Sequence, residues 1–115
     1  MDVKQVYEKL QAGNAFLLDV RSHSEFAAVH APHAVCIPVQ TLSDHISEIP
    51  ADKPVYVICH SGGRSSMAVQ LLKTRGMSKV INVDGGIIAW QAAHLPIEPQ
   101  KAPGGIMSRL FGRKA

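Results

Sequence analysis

Residues 55–66 read Val-Tyr-Val-Ile-Cys-His-Ser-Gly-Gly-Arg-Ser-Ser, and this run decides how the rest of the chain is read. Residues 55–58 are apolar or aromatic types that favour strands, and the run stops abruptly at Cys59. A short glycine-containing turn follows, and a helix is expected to open at Arg64 or Ser65. The pattern places one thiol at the mouth of a strand-to-helix turn. Backbone N–H groups of such a turn point inward, and the helix N-terminus adds partial positive charge. That environment favours thiolate over thiol, and the thiolate is the nucleophile.

On both sides of this run, strand and helix signals alternate. Val3, Val6, Tyr7 and Leu10 have helical spacing, and Gly13-Asn14 stops that helix. Residues 15–20 form a short apolar strand. Ser22 and Glu25 have capping-box spacing for a short helix that Pro32 ends. Residues 34–37 form a second strand, closed by Pro38. Leu42, Ile46 and Ile49 mark a helix ending at Pro50. After the Cys59 turn, Met67, Ala68, Leu71 and Leu72 give a helix an apolar face, with Gly76 as its cap. Residues 80–83 are a strand, and Gly85-Gly86 leads into a last helix through Trp90. Strands separated by helices imply an α/β domain with a parallel sheet covered on both faces. Sites in such sheets form at the carboxyl ends of strands, where Cys59 lies.

The 115 residues suffice for one domain with a single core. No apolar run approaches the roughly 18 residues of a membrane span. The start of the chain lacks the apolar stretch of a signal peptide, so a cytoplasmic protein with reduced thiols is expected. Cys36 and Cys59 form no disulfide or zinc spacing pattern. The formal charge of +3 is unevenly placed: residues 1–98 hold eight Lys or Arg against nine Asp or Glu, net −1, and residues 99–115 hold four basic residues and no acid, net +4. The basic character therefore belongs to a tail and does not indicate a nucleic-acid partner. The division expected is a domain over 1–98 and a mobile basic tail over 99–115. In the tail, Ile106, Met107, Leu110 and Phe111 share one helical face, a pattern that also suits contact with a membrane surface or a partner protein.

Cys59, His60, Ser61, Gly62, Gly63 and Arg64 form a six-residue loop from Cys to Arg. Its two glycines permit positive φ and close backbone approach to an anion. Arg64 can fork two N–H groups onto an oxyanion. With these features in place, the chain resembles the rhodanese, or sulfurtransferase, family over residues 1 to about 98. The resemblance rests on Leu17-Leu18-Asp19-Val20-Arg21, on Glu25-Phe26 with His30-Ala31-Pro32-His33-Ala34 and Ile37-Pro38, on the Cys59 loop, and on Asp84-Gly85-Gly86, Ala89-Trp90 and Leu95-Pro96-Ile97. It departs at His33 and Val29, where the family usually has glycine.

The resemblance implies a rhodanese-like fold with a central, mostly parallel five-stranded sheet and helices on both faces. It implies sulfur transfer: Cys59 takes sulfane sulfur from a donor such as thiosulfate or a persulfide, and passes it to a thiol, cyanide or a protein cysteine. Arg64 would hold the donor, with His60, Ser61, Gly62, Gly63 and Ser65 lining its site, and neither a cofactor nor a metal is required. A persulfide carrier or regulatory module is the alternative. Phosphatase or arsenate reductase chemistry is disfavoured, because related enzymes of that type use a loop one residue longer.

Other residues have structural readings. Cys36, in Ala-Val-Cys-Ile, is expected in the core. Asp19 and Arg21 are expected to tie loops near the site. His30 and His33 have i, i+3 spacing, but Pro32 breaks the helix a metal pair would need. Trp90 is expected to pack in the core or in a pocket wall, and Tyr7 to lie on the buried face of the first helix.

Overall fold

The computed structural model describes residues 1–99. Its elements are α1 (Val3–Gln11), β1 (Phe16–Asp19), α2 (His23–Ala28), β2 (Val35–Cys36), two 3₁₀ turns (Val39–Asp44 and Ile46–Glu48), β3 (Val55–Ile58), α3 (Gly63–Thr74), β4 (Val80–Asn82) and α4 (Gly86–Ala92). The basic tail expected from the sequence lies outside the described residues beyond Pro99.

The four strands form one parallel sheet in the order β2-β1-β3-β4. Side chains of successive strand residues point to opposite faces, and this divides the core in two. Leu18, Val55, Val57 and Cys59 face α3 and the 3₁₀ turns, with Leu42, Ala68 and Leu72. Leu17, Tyr56 and Ile58 face α1 and α4, with Val6, Ile87 and Trp90. All four residues of β3 are buried, as a central strand covered on both sides requires. Trp90 donates from Nε1 to the Pro96 carbonyl at 2.8 Å, and its ring meets the half-buried Tyr7 edge to face.

Local signals set several boundaries. Asp2 caps α1 by accepting from the Gln5 amide. The Ser22–Glu25 capping box is complete at α2. Gly76, at φ 93°, ends α3; its amide reaches Lys73 O and that of Met77 reaches Leu72 O, the paired bonds of a Schellman ending.

Three expectations are corrected. The described residues hold four strands, not five. No run of residues in the sequence stood for the fifth strand, and the proline-flanked segment before Pro99 makes only an isolated antiparallel bridge, between His30 and Glu98. The helix expected through Leu42, Ile46 and Ile49 is two 3₁₀ turns broken at His45. Leu42 and Ile49 are still buried, but Ser43, Asp44 and Ser47 between them favour local bonding over a continuous helix. Cys36 is not in the core. It ends a two-residue edge strand and is half-buried, because among the described residues no further strand covers that side.

The two departures from the family pattern differ in consequence. Val29 is fully extended (φ −163°, ψ 137°), a conformation open to any residue. His33 has φ 67°, the left-handed region, which explains why glycine suits that position.

Candidate active site

β3 delivers Cys59 to the carboxyl edge of the sheet, and the chain turns through Gly62 into α3. Gly62 has φ 117°, and its amide donates to Cys59 Sγ at 3.0 Å. Only this glycine uses left-handed backbone within the loop. Gly63 is the first residue of α3 and has open space where a Cβ would lie. The helix therefore begins one residue earlier than the sequence suggested, and its first turn sits closer to the sulfur.

Cys59 and Ser65 are both buried. In the thiol state Cys59 Sγ donates to Ser65 Oγ at 3.3 Å. Burial alone would raise the thiol pKa, but the Ser65 hydroxyl and the Ser65, Gly62 and Ser61 amides hydrogen-bond the sulfur and bring the net shift below the ordinary value. His60 and Ser61 are exposed at the rim. The loop's far side is held by α4. Ile87 N donates to Cys59 O at 2.9 Å and Ile88 N to His60 O at 3.1 Å. Gly86 makes this approach feasible, since a Cβ there would overlap both carbonyl groups, and its φ is 59°.

Arg64 does not face the cradle with its open fork. Its two terminal nitrogens donate to Glu25 Oε1 and Oε2 at 2.7 and 2.9 Å, tying α2 to α3. This bidentate contact, with Ser22 also donating, holds the Glu25 carboxyl at about pKa 2 against the opposing effect of burial. Asp19 and Arg21 form a second, buried pair. Arg21 donates from Nε and a terminal nitrogen to Asp19 at 2.8–3.1 Å, and to Val29 O at 2.6 Å. The pair ties the end of β1 to the segment after α2, as a structural role requires.

The structure thus brings Cys59, Ser61, Gly62 and Ser65 together at the sulfur. It turns Arg64 to a neighbour and leaves His60 at the edge. Sequence reasoning missed two residues. Glu25 was read as a capping partner and as part of the family pattern, not as the partner of Arg64, and Asn82 carried no signal; Asn82 Oδ1 accepts from Ser65 Oγ at 2.5 Å. The two free cysteines end strands separated by β1, so their Cα atoms are about 10 Å apart on strand spacing, beyond disulfide reach. Among the described residues no three His, Cys, Asp or Glu side chains converge as metal ligands.

Comparison with known proteins extends this geometry. A model of the rhodanese-like domain matches residues 2–93. A protein of Allochromatium vinosum named sulfurtransferase is 39% identical over 84 residues, covering 73% of this chain and 78% of that one. A Vibrio cholerae protein named thiosulfate sulfurtransferase GlpE is 35% identical over 98 residues, covering 85% of this chain and 92% of that one. The crystal structure of a rhodanese-related protein from Thermoplasma volcanium superposes with a TM-score of 0.79 at 29% identity, over 87% of this chain and 97% of that one.

Proposed function

The chain belongs to the rhodanese-like domain family, and we propose that it is a sulfurtransferase in which Cys59 carries the transferred sulfur. The observation that carries this reading is a buried sulfur at the base of a six-residue loop, with the Gly62 amide 3.0 Å away and the thiol pKa lowered. A thiolate in that position attacks a sulfur atom whose leaving group is an anion.

With thiosulfate, the Cys59 thiolate forms a bond to the outer sulfur. The sulfur–sulfur bond of the donor breaks, and sulfite departs with its electron pair. Cys59 then holds a persulfide, whose terminal negative charge faces the loop amides. An acceptor nucleophile (cyanide, a small thiol or a protein cysteine) attacks the outer sulfur and restores the thiolate. The order of events is ping-pong. The name carried by the Vibrio relative supports thiosulfate as donor. Arg64 is paired with Glu25 and keeps N–H groups that this pair does not use; in this reading those groups meet the donor's sulfonate. His60 and Ser61 form the rim the donor crosses.

Mass spectrometry tests the assignment. Thiosulfate should add the mass of one sulfur atom to Cys59, and cyanide should remove it. An unmodified wild-type protein, or equal modification of Cys59→Ser, would overturn the reading. Rapid loading followed by negligible turnover with small acceptors would instead identify a carrier that serves one protein partner.

A further inference from the structure

Asn82 ends β4, outside the loop, yet its side chain reaches the group that touches the sulfur. Ser65 has one hydroxyl proton and three neighbours for it: Gly62 O at 3.1 Å, the Asn82 amide at 2.5 Å and Cys59 Sγ at 3.3 Å. Gly62 O already accepts from Ser66 N at 3.1 Å and from Ser66 Oγ at 2.8 Å, which occupies both lone pairs. The Ser65 proton is therefore shared between Asn82 and the sulfur. Because Ser65 is fully buried, an unmatched hydroxyl there would be costly.

A carboxamide has an accepting end and a donating end, exchanged by a half-turn of its terminal bond. We propose that Asn82 is a positioning residue that turns the Ser65 hydroxyl toward or away from Cys59 according to the charge on the sulfur. In the thiol state the S–H donates to Ser65 Oγ, and Ser65 donates to Asn82 Oδ1. When the thiol proton passes to bulk water, or when the sulfur carries a persulfide anion, the Ser65 proton turns to the sulfur. Asn82 then presents its N–H to the serine oxygen. The Ser65 hydroxyl has a donor and an acceptor in both states, and no proton crosses between the residues. An aspartate in that place could only accept and would hold the Ser65 proton away from the sulfur.

Charged groups around this line come from every side. Arg64 and Glu25 are paired across α3 and α2, Asp19 and Arg21 are paired at the end of β1, and His60 is on the rim. The Met1 ammonium donates to Asn82 O at 3.0 Å and pairs with Asp84 at 3.0 Å. None of these changes in the variants below.

The inference rests on the proposed role of Cys59, but its test needs no sulfur donor. The rate of Cys59 alkylation by iodoacetamide is followed against pH by peptide mass, in wild type, Asn82→Asp, Asn82→Ala, Ser65→Ala and both double variants. Asn82→Asp should slow alkylation at pH 7 by about tenfold, the effect of one pH unit in the thiol titration. In the Ser65→Ala background the same change should slow it by a clearly smaller factor, the part that remains being through-space charge. Asn82→Ala, which carries no charge, should show an effect that disappears without Ser65. Equal slowing by Asn82→Asp with and without Ser65 would overturn the proposal, as would unchanged profiles for both Asn82 variants. If wild type takes no sulfur from thiosulfate while the coupling to Ser65 persists, the proposed function fails and this inference stands.

Discussion

Cys36 and Cys59 are the same residue at the same end of the same parallel sheet, the last residue of β2 and the first after β3, with β1 between the two strands. Their chemistry is opposite. Cys59 is buried, yet its pKa falls, because the loop after it folds amides and a hydroxyl onto the sulfur. Cys36 is more accessible, yet its pKa rises. Burial without amide donors raises it first and the Asp19 carboxylate adds to this, Arg21 opposes them, and Glu25 adds a smaller raising effect. Its sulfur donates to Arg21 O at 3.6 Å, and the chain continues into Ile37-Pro38, where proline has no N–H to offer. Accessibility does not set the direction of the thiol pKa shift here; the turn that follows the cysteine does.

The bluntest way to break this contrast is to remove each thiol. Cys59→Ser should abolish persulfide formation, and Cys36→Ser should leave its rate within about twofold, both read by mass after thiosulfate treatment. Next is the support behind the loop. Gly86→Ala forces a side chain into left-handed backbone against the Cys59 and His60 carbonyls. It should cost more than about 3 kcal/mol in urea denaturation, with Cys59 reactivity falling toward that of Cys36 in whatever remains folded.

The contrast sharpens in competition. At pH 7, iodoacetamide should label Cys59 about tenfold faster than Cys36, because a lowered pKa leaves more thiolate at that pH. The gap should close as pH rises past the ordinary thiol range near 9. A smaller effect is expected at the Arg64–Glu25 clamp. The Glu25 pKa is depressed to about 2, so the pair stabilises the fold above the ordinary carboxylate value of 4.5, and the contribution is lost as pH falls toward 2. Glu25→Gln should therefore destabilise by about 1 kcal/mol at pH 7, discounted because the side chains are 35% and 36% exposed, and the difference from wild type should vanish near pH 2. The smallest change is His33→Gly, in the turn before β2. Relief of left-handed strain should exceed the added chain entropy by roughly 0.5 kcal/mol, raising Tm slightly while both thiols keep their reactivity.

Much of this was legible in the sequence where the cause is local. The Val55–Ile58 strand, the Ser22–Glu25 capping box and the Gly76 ending each depend on residues a few positions apart. The partner of Arg64 was not legible, because Glu25 lies 39 residues away. Asn82 meets Ser65 across 17 residues, with no motif to join them. The burial of Cys36 depended on how many strands lie beyond β2, which Ala-Val-Cys-Ile by itself does not reveal. The 3₁₀ turns still bury Leu42 and Ile49 and half-bury Ile46, the residues that marked the expected helix, and differ from it in winding.

The sequence by itself determined the alternation of strands and helices, the loop length from Cys59 to Arg64 and the thiol at a strand's carboxyl end. These follow from periodicity, turn chemistry and counting, all carried by neighbouring residues. Only the tertiary structure decided which groups surround the sulfur and where the Arg64 guanidinium points. Those depend on hydrogen-bond and charge geometry between segments far apart in the chain. A shift of an ångström there changes the partner of a proton without changing a residue.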